Sequence, residues 1–350
     1  GMAYASKYVD KINNKFFCLV GDAESAEGQV WEACSFGASY KLDNVICFID
    51  ANRQGQSGPT MFTHDLEHYK KKFEAFGCNV ICIDGHEVAD IILALDWARK
   101  VKDAPAVIIA KTLKGKGLGK LFEDKDWHGK PLAGETQSTI EALKSLIKTT
   151  EWTLKPTKPS FDYKPKDFTP FAFPTLKYTK VIFVVKIQAD FFFFALGQAE
   201  NIEKAIGNAF LTLAHPDNDK DDRLVAIERD AKTSKAHFNL VSVGGNKFVT
   251  AGAAEQNMVC VSQGIGAEEK SHSVLLLELT SAGNDLNHLP PSNAIVSPNR
   301  AYDQIRLVGI SASNVKFIGT HSLTGAEAPS HMALEDITMF RAVTGSVILY

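Results

Sequence analysis

Along the first part of the chain, to about residue 146, short apolar runs alternate with amphipathic stretches. The runs over 16–20, 45–49, 79–83 and 106–110 are continuously apolar instead of alternating, as strands covered on both faces are. Between and after them, helical periodicity covers 26–42, 66–76, 88–100 and 136–148. The last of these opens at Gly134-Glu135-Thr136, where Thr136 or Ser138 can cap it. Strand and helix in strict alternation predict a doubly wound parallel sheet.

The pattern changes over 151–180, where Pro156, Pro159, Pro165, Pro170 and Pro174 are spread among Lys, Thr, Phe and Asp without a helical period. Such a stretch reads as an extended linker. It leads into an apolar segment over 181–196, interrupted by Lys186 and Asp190 and holding four consecutive phenylalanines, Phe191 to Phe194. The segment is too short and too charged for a membrane span, which leaves a buried segment or an aggregation hazard. A second alternating unit follows: helix 199–213, strand 224–227, helix 256–265, strand 274–279, helix 301–310, strand 315–318, helix 333–340 and strand 346–350. Residues 280–299, rich in Pro, Asn and Ser, read as a loop. The expected fold class is α/β, with two doubly wound parallel-sheet domains, 1–150 and 196–350. A linker with its apolar insert, 151–195, joins them.

A length of 350 residues suits two domains, and 45% hydrophobic with 23% charged residues is ordinary for a globular chain. A net charge of −3 and a pI near 6.4 provide no basic field for nucleic acid or an anionic membrane. Lys70, Lys71 and Lys72 read as a solvated helix face. Cys18, Cys34, Cys47, Cys78, Cys82 and Cys260 form no CxxC pair. Most sit in apolar runs, so they read as reduced core thiols in a reducing compartment. The amino terminus has no basic region followed by an apolar stretch, so no secretory signal is visible, and the expected location is cytoplasmic.

Two residues carry the candidate chemistry. Asp22 closes the first apolar run and Asn52 the second, with one helix between. A right-handed crossover brings those two ends side by side on one edge of a parallel sheet. A carboxylate, an amide oxygen and the turn Gln54-Gly55-Gln56-Ser57-Gly58 would meet there, a hard-oxygen set suited to Mg²⁺ or Ca²⁺ on a diphosphate. Asp and Asn also close strands simply as turn formers, and spacing alone leaves both readings open.

Longer motifs add to the pair. Gly21-Asp22-Ala23-Glu24-Ser25-Ala26-Glu27-Gly28, Lys41-Leu42-Asp43-Asn44 and Asn52-Arg53-Gln54-Gly55-Gln56-Ser57 are followed in order by several others. These are Lys111-Thr112-Leu113-Lys114-Gly115-Lys116-Gly117, Trp127-His128-Gly129-Lys130-Pro131, Ala254-Glu255-Gln256-Asn257-Met258 and Met332-Ala333-Leu334-Glu335-Asp336. Together they resemble transketolases of the animal type, which use thiamine diphosphate. The resemblance covers about two thirds of the chain.

That resemblance implies roles for particular residues. Asp22, Asn52 and the backbone carbonyl of Gln54 would hold the divalent metal. Asp22, Ala23, Glu27, Asn52, Gln56, Lys114 and Asp230 would contact the cofactor. Glu255 would activate the aminopyrimidine, and His128 would serve both catalysis and substrate binding. Ser234, His321 and Glu327 would join it on a phosphorylated sugar. The reaction implied is transfer of a two-carbon ketol unit between sugar phosphates of the pentose phosphate pathway. A homodimer is implied as well. Residues 1–150 would be the diphosphate-binding domain and 196–350 the pyrimidine-binding domain, both incomplete.

Departures from the family pattern support a second expectation. Ala23 stands where the family has Gly, Glu203 replaces a phosphate-binding arginine, and Glu228-Arg229 replaces Asp-Gly. Two upstream histidines, a phenylalanine-rich segment and the third domain have no counterpart. Catalysis demands sub-ångström positioning, so these departures predict little or no turnover by the chain alone. The alternative is a non-catalytic, transketolase-like binding partner or a mis-spliced product.

Overall fold

The computed structural model describes residues 1–118, 128, 136–147, 181–187, 190–195, 224–228, 247–268, 273–277, 298–318, 336–346 and 348. The chain divides into two compact units, Lys15–Phe168 and a second composed of Gly1–Asn14 with Thr169–Tyr350. The helices, in chain order, are α1 (Met2–Tyr4), α2 (Gly28–Ser39), α3 (Leu66–Ala75), α4 (Val88–Lys100), α5 (Thr136–Ser145), α6 (Glu255–Glu268), α7 (Tyr302–Ile310) and α8 (Asp336–Arg341). The strands are β1 (Phe16–Gly21), β2 (Val45–Ala51), β3 (Asn79–Asp84), β4 (Ala106–Lys111), β5 (Val181–Ile187) and β6 (Asp190–Ala195). They continue with β7 (Leu224–Glu228), β8 (Phe248–Thr250), β9 (Ser273–Leu277) and β10 (Val315–Ile318).

In the unit Lys15–Phe168, four parallel strands lie in the order β1-β2-β4-β3. Handedness then dictates the layers. The steps β1 to β2 and β2 to β3 move the same way across the sheet, so right-handed crossovers place α2 and α3 on one face. The step back from β3 to β4 reverses direction and places α4 on the other. The cores agree: Ile49, Val107 and Ile109 pack with Tyr69 and Phe73 of α3 and with Val30, Trp31 and Cys34 of α2. On the opposite face, Ile46, Ala106 and Ile108 pack with Ala94 and Ala98 of α4.

Trp31 ties α2 to α3, with its ring 4.7 Å from Phe73 and 5.0 Å from Phe76, and Lys72 caps it 4.3 Å away. Gly77 ends α3 in the left-handed region at φ +85, where an added Cβ would stand 2.7 Å from Ala38 Cβ. Only glycine satisfies both constraints. The α4 face of β1 is bare: Phe17 is 60% and Leu19 74% exposed.

The second unit has a parallel sheet in the order β10-β9-β7-β8, with α6 against it. Its core includes Val225, Ile227, Val249, Met258, Val261 and Ile265. The amino-terminal α1 lies on α6, where Gly1 and Gly264 approach so closely that a Cβ on Gly264 would meet Gly1 Cα at 2.7 Å. β5 and β6 form an antiparallel hairpin, so the apolar segment is strand.

The α/β expectation and the parallel sheets are therefore as read from sequence, with some corrections. The helix expected over 26–42 is shorter because Glu27 is extended at φ −65, ψ 130, separating a 3₁₀ turn, Glu24–Ala26, from α2. The strand expected over 346–350 is not seen at Ser346, which instead closes a turn by donating to Phe340 O and Val343 O. The helix expected over 199–213 and the linker over 151–180 lie outside the described residues. The cysteines are all free, yet Cys18 is exposed, so it is not a core thiol.

Phe73 is fully buried at the centre of the α2–α3 layer. Phe73→Ala is expected to destabilise this unit by about 3–5 kcal/mol. All four tryptophans fall between residues 15 and 168, so urea unfolding followed by their fluorescence reads this unit. A loss under about 1 kcal/mol would contradict the packing described.

Candidate functional site

Because β1 to β4 are parallel, their carboxyl ends share one edge, the place where open α/β sheets bind ligands. Asp22 follows β1 and Asn52 follows β2. Both are buried, at 3% and 8% exposure.

The two ends are tied together by Asp22, whose N donates to Asp50 O at 3.2 Å and whose carboxylate accepts from the far side. Arg53 N donates to Asp22 Oδ2 at 2.7 Å. Arg53 can do so because its backbone is left-handed at φ +64, which turns the amide towards β1. That conformation costs a non-glycine residue about 1–3 kcal/mol and is typical of functional sites. Thr60 Oγ1 adds a second donor to the same oxygen at 3.0 Å, and Ala23 N donates to Oδ1 at 2.9 Å. Burial pushes the Asp22 pKa up, the Asp50 charge adds slightly to this, and the three donors act against it.

Asn52 is oriented with equal definition. Its Nδ2 donates to Asp50 Oδ2 at 3.0 Å, and its Oδ1 accepts from Gln54 N at 3.0 Å. Thr112 Oγ1 donates to the other Asp50 oxygen, so the end of β4 supports the same carboxylate. Gln54 pairs with Pro59 in an isolated antiparallel bridge, and Thr60 N donates to Arg53 O at 2.9 Å. This small hairpin carries Thr60 back beneath Asp22, with Gln56 exposed near its tip.

The remaining expected residues divide by place. Lys114 Nζ lies 3.3 Å from His128 Nδ1, so those two meet after β4. The loop leading to them is held by two histidines: His64 Nε2 lies 2.8 Å from Thr112 O, and Leu113 N donates to His86 Nε2 at 2.8 Å. Glu27 is exposed at the start of α2 and makes no side-chain cap bond. Ala23 has right-handed helical angles, φ −65 and ψ −40, so its Cβ brings no backbone strain. Glu255 lies in the other unit as the first residue of α6, buried and 3.7 Å from Arg300 Nη1. Asp230, Ser234, His321 and Glu327 lie outside the described residues.

The donor set fits a diphosphate-bound cation better than a protein cage. Among the described residues no group of three or more His, Cys, Asp or Glu side chains could hold a metal. Asp22 Oδ1 and Asn52 Oδ1 are hard oxygens on adjacent strand ends, the kind of set from which Mg²⁺ takes one or two protein ligands when phosphates complete its shell. Sequence reading missed Thr60, Asp50, Thr112 and Arg300. Asp50 had a signal, the Asp-x-Asn spacing at a strand end; the others are partners fixed only by the fold.

Residues 2–158 match the family described as transketolase, thiamine diphosphate binding domain. Human transketolase is 35% identical over 353 residues, covering 100% of this chain and 50% of that protein. Transketolase-like protein 2 of Bos taurus is 36% identical over 351 residues, covering 99% of this chain and 50% of its own length. Among solved structures, transketolase from Campylobacter jejuni superposes with a TM-score of 0.65 at 22% identity, covering 98% of this chain and 54% of that one. Transketolase from Leishmania mexicana gives a TM-score of 0.60 at 17% identity, with 98% and 53% covered. Among the described residues no helix is long and apolar enough to cross a membrane. Along its whole length the chain is similar in sequence to transketolases and shares their fold, and it spans about half the length of the curated relatives it matches.

Proposed function

We propose that this chain binds thiamine diphosphate through a divalent cation held by Asp22, Asn52 and the Gln54 carbonyl. The chemistry we assign to it is transfer of a two-carbon ketol unit between sugar phosphates. The observation that carries the reading is the convergence of two buried oxygen ligands at adjacent strand ends, each oriented by its own hydrogen bonds. Bound thiamine diphosphate supplies a stabilised carbanion, and the chain supplies orientation and proton control. In this reading Lys114 and His128 present cationic or proton-carrying groups to the anionic substrate. Glu255 is the carboxyl assigned to the aminopyrimidine, and assembly as a homodimer is part of the same proposal.

A second reading, cofactor binding with little turnover, is favoured by one feature. Arg300 engages the Glu255 carboxylate that the chemistry would need. Steady-state assay with xylulose 5-phosphate and ribose 5-phosphate separates the two. Little or no product from the purified chain supports the second reading, and ordinary family rates would discard it.

Titration calorimetry with thiamine diphosphate and Mg²⁺ is expected to show Mg²⁺-dependent heat that Asp22→Ala abolishes. Heat unchanged in Asp22→Ala would overturn the assignment. Thr60→Val keeps both ligands but removes one donor to Asp22. It is expected to weaken Mn²⁺ binding in the presence of the cofactor by about 10–100-fold, as loss of a ligand's supporting partner does. Paramagnetic resonance of free Mn²⁺ measures this directly, and equal affinity would show that Thr60 does not orient the ligand.

A further inference from the structure

Cys18 of β1 and Cys47 of β2 are direct neighbours in the parallel register, and their side chains point to the same face of the sheet. Cys18 is exposed, whereas Cys47 is partly covered by the α2–α3 layer. The two thiols are within hydrogen-bonding reach of each other. Adjacent strands stand about 4.7–4.9 Å apart, inside the roughly 4.4–6.8 Å between Cα atoms that a disulfide spans. Among the described strands β1 pairs only with β2.

We propose that Cys18 and Cys47 form a reversible dithiol–disulfide pair that exchanges with low-molecular-weight disulfides of the glutathione type. The Cys18 thiolate attacks one sulfur of the oxidant, forming a mixed disulfide and releasing one glutathione thiolate. Cys47 then gives up its proton and attacks the Cys18 sulfur, releasing the second glutathione. Two protein thiols are oxidised and one small disulfide is reduced to two thiols.

The two cysteines have suitably different roles. The hydrogen bond from Cys47 holds the Cys18 pKa down at about 7, against the opposing effects of burial and the Glu24 charge. A thiol with a pKa near ambient pH is the best attacking group in exchange. The same hydrogen bond, with burial and the neighbouring Cys18 charge, pushes the Cys47 pKa up. Once the Cys18 sulfur is in a mixed disulfide it carries no charge, which removes one of the effects that hold the proton on Cys47, the resolving thiol. Cys34 and Cys78 also touch, but Cys78 is only 7% exposed and an oxidant has poor access to it.

The test uses the full chain, reduced and then equilibrated in buffers of rising oxidised-to-reduced glutathione ratio. After alkylation, peptide mass spectrometry is expected to find a Cys18–Cys47 cross-link that grows with the ratio and disappears with dithiothreitol. In Cys47→Ser, glutathione is expected to accumulate on Cys18 several-fold above wild type, because nothing displaces it. Retention of both alkylated thiols across the range would overturn the proposal. So would a cross-link joining Cys34 to Cys78 instead, or equal glutathione on Cys18 in both proteins. The wild-type cross-link decides the matter even if the variant folds poorly.

Discussion

The hydrogen bond from Arg53 N to the buried Asp22 carboxylate adds a side-chain link to the backbone pairing that joins the ends of two parallel strands. The site follows from it. The bond requires Arg53 to be left-handed, and that turn sends the chain through the hairpin that returns Thr60 beneath the same carboxylate. It also leaves Asn52 beside Asp22 with its amide fixed between Asp50 and Gln54 N. A buried carboxylate without such donors would carry a desolvation cost of several kcal/mol. Here three donors offset part of that cost and hold the two oxygens in place.

The layers behind the site explain why it is held so firmly. α2 and α3 share a face because both crossovers step the same way, and Trp31, packed against Phe73 and Phe76, locks them as a pair. α2 begins just after the Asp22 turn, and α3 begins just after the Thr60 hairpin. Each loop that carries a proposed ligand therefore ends in a helix anchored in the same core. The loop after β4 is fixed differently, by His64 and His86 on its backbone, and it brings Lys114 to His128.

Much of this was legible in the residues. Strands buried on both faces write continuous apolar runs, so β1 to β4 and the convergence of their ends could be read directly. β8 has only three residues, Phe248–Thr250, too few for any period to appear. The break at Glu27 was hidden because nothing in a helix-compatible composition marks one extended residue. Partners such as Thr60 and Arg300 escaped for another reason: their roles depend on contacts distant in sequence, 38 residues for Thr60 with Asp22. The exposure of Cys18 also depends on tertiary placement, since an apolar run does not say which of its strands lies at an edge.

The proposed cation-diphosphate seat lies at the edge above β1 and β2. Crystals grown with thiamine diphosphate and Mn²⁺, measured at the manganese absorption edge, locate the metal without any assay. An anomalous peak bonded to Asp22 Oδ1 and Asn52 Oδ1 is expected, with diphosphate oxygens completing the shell. Manganese bound elsewhere, with those two oxygens still occupied only by protein donors, would contradict it.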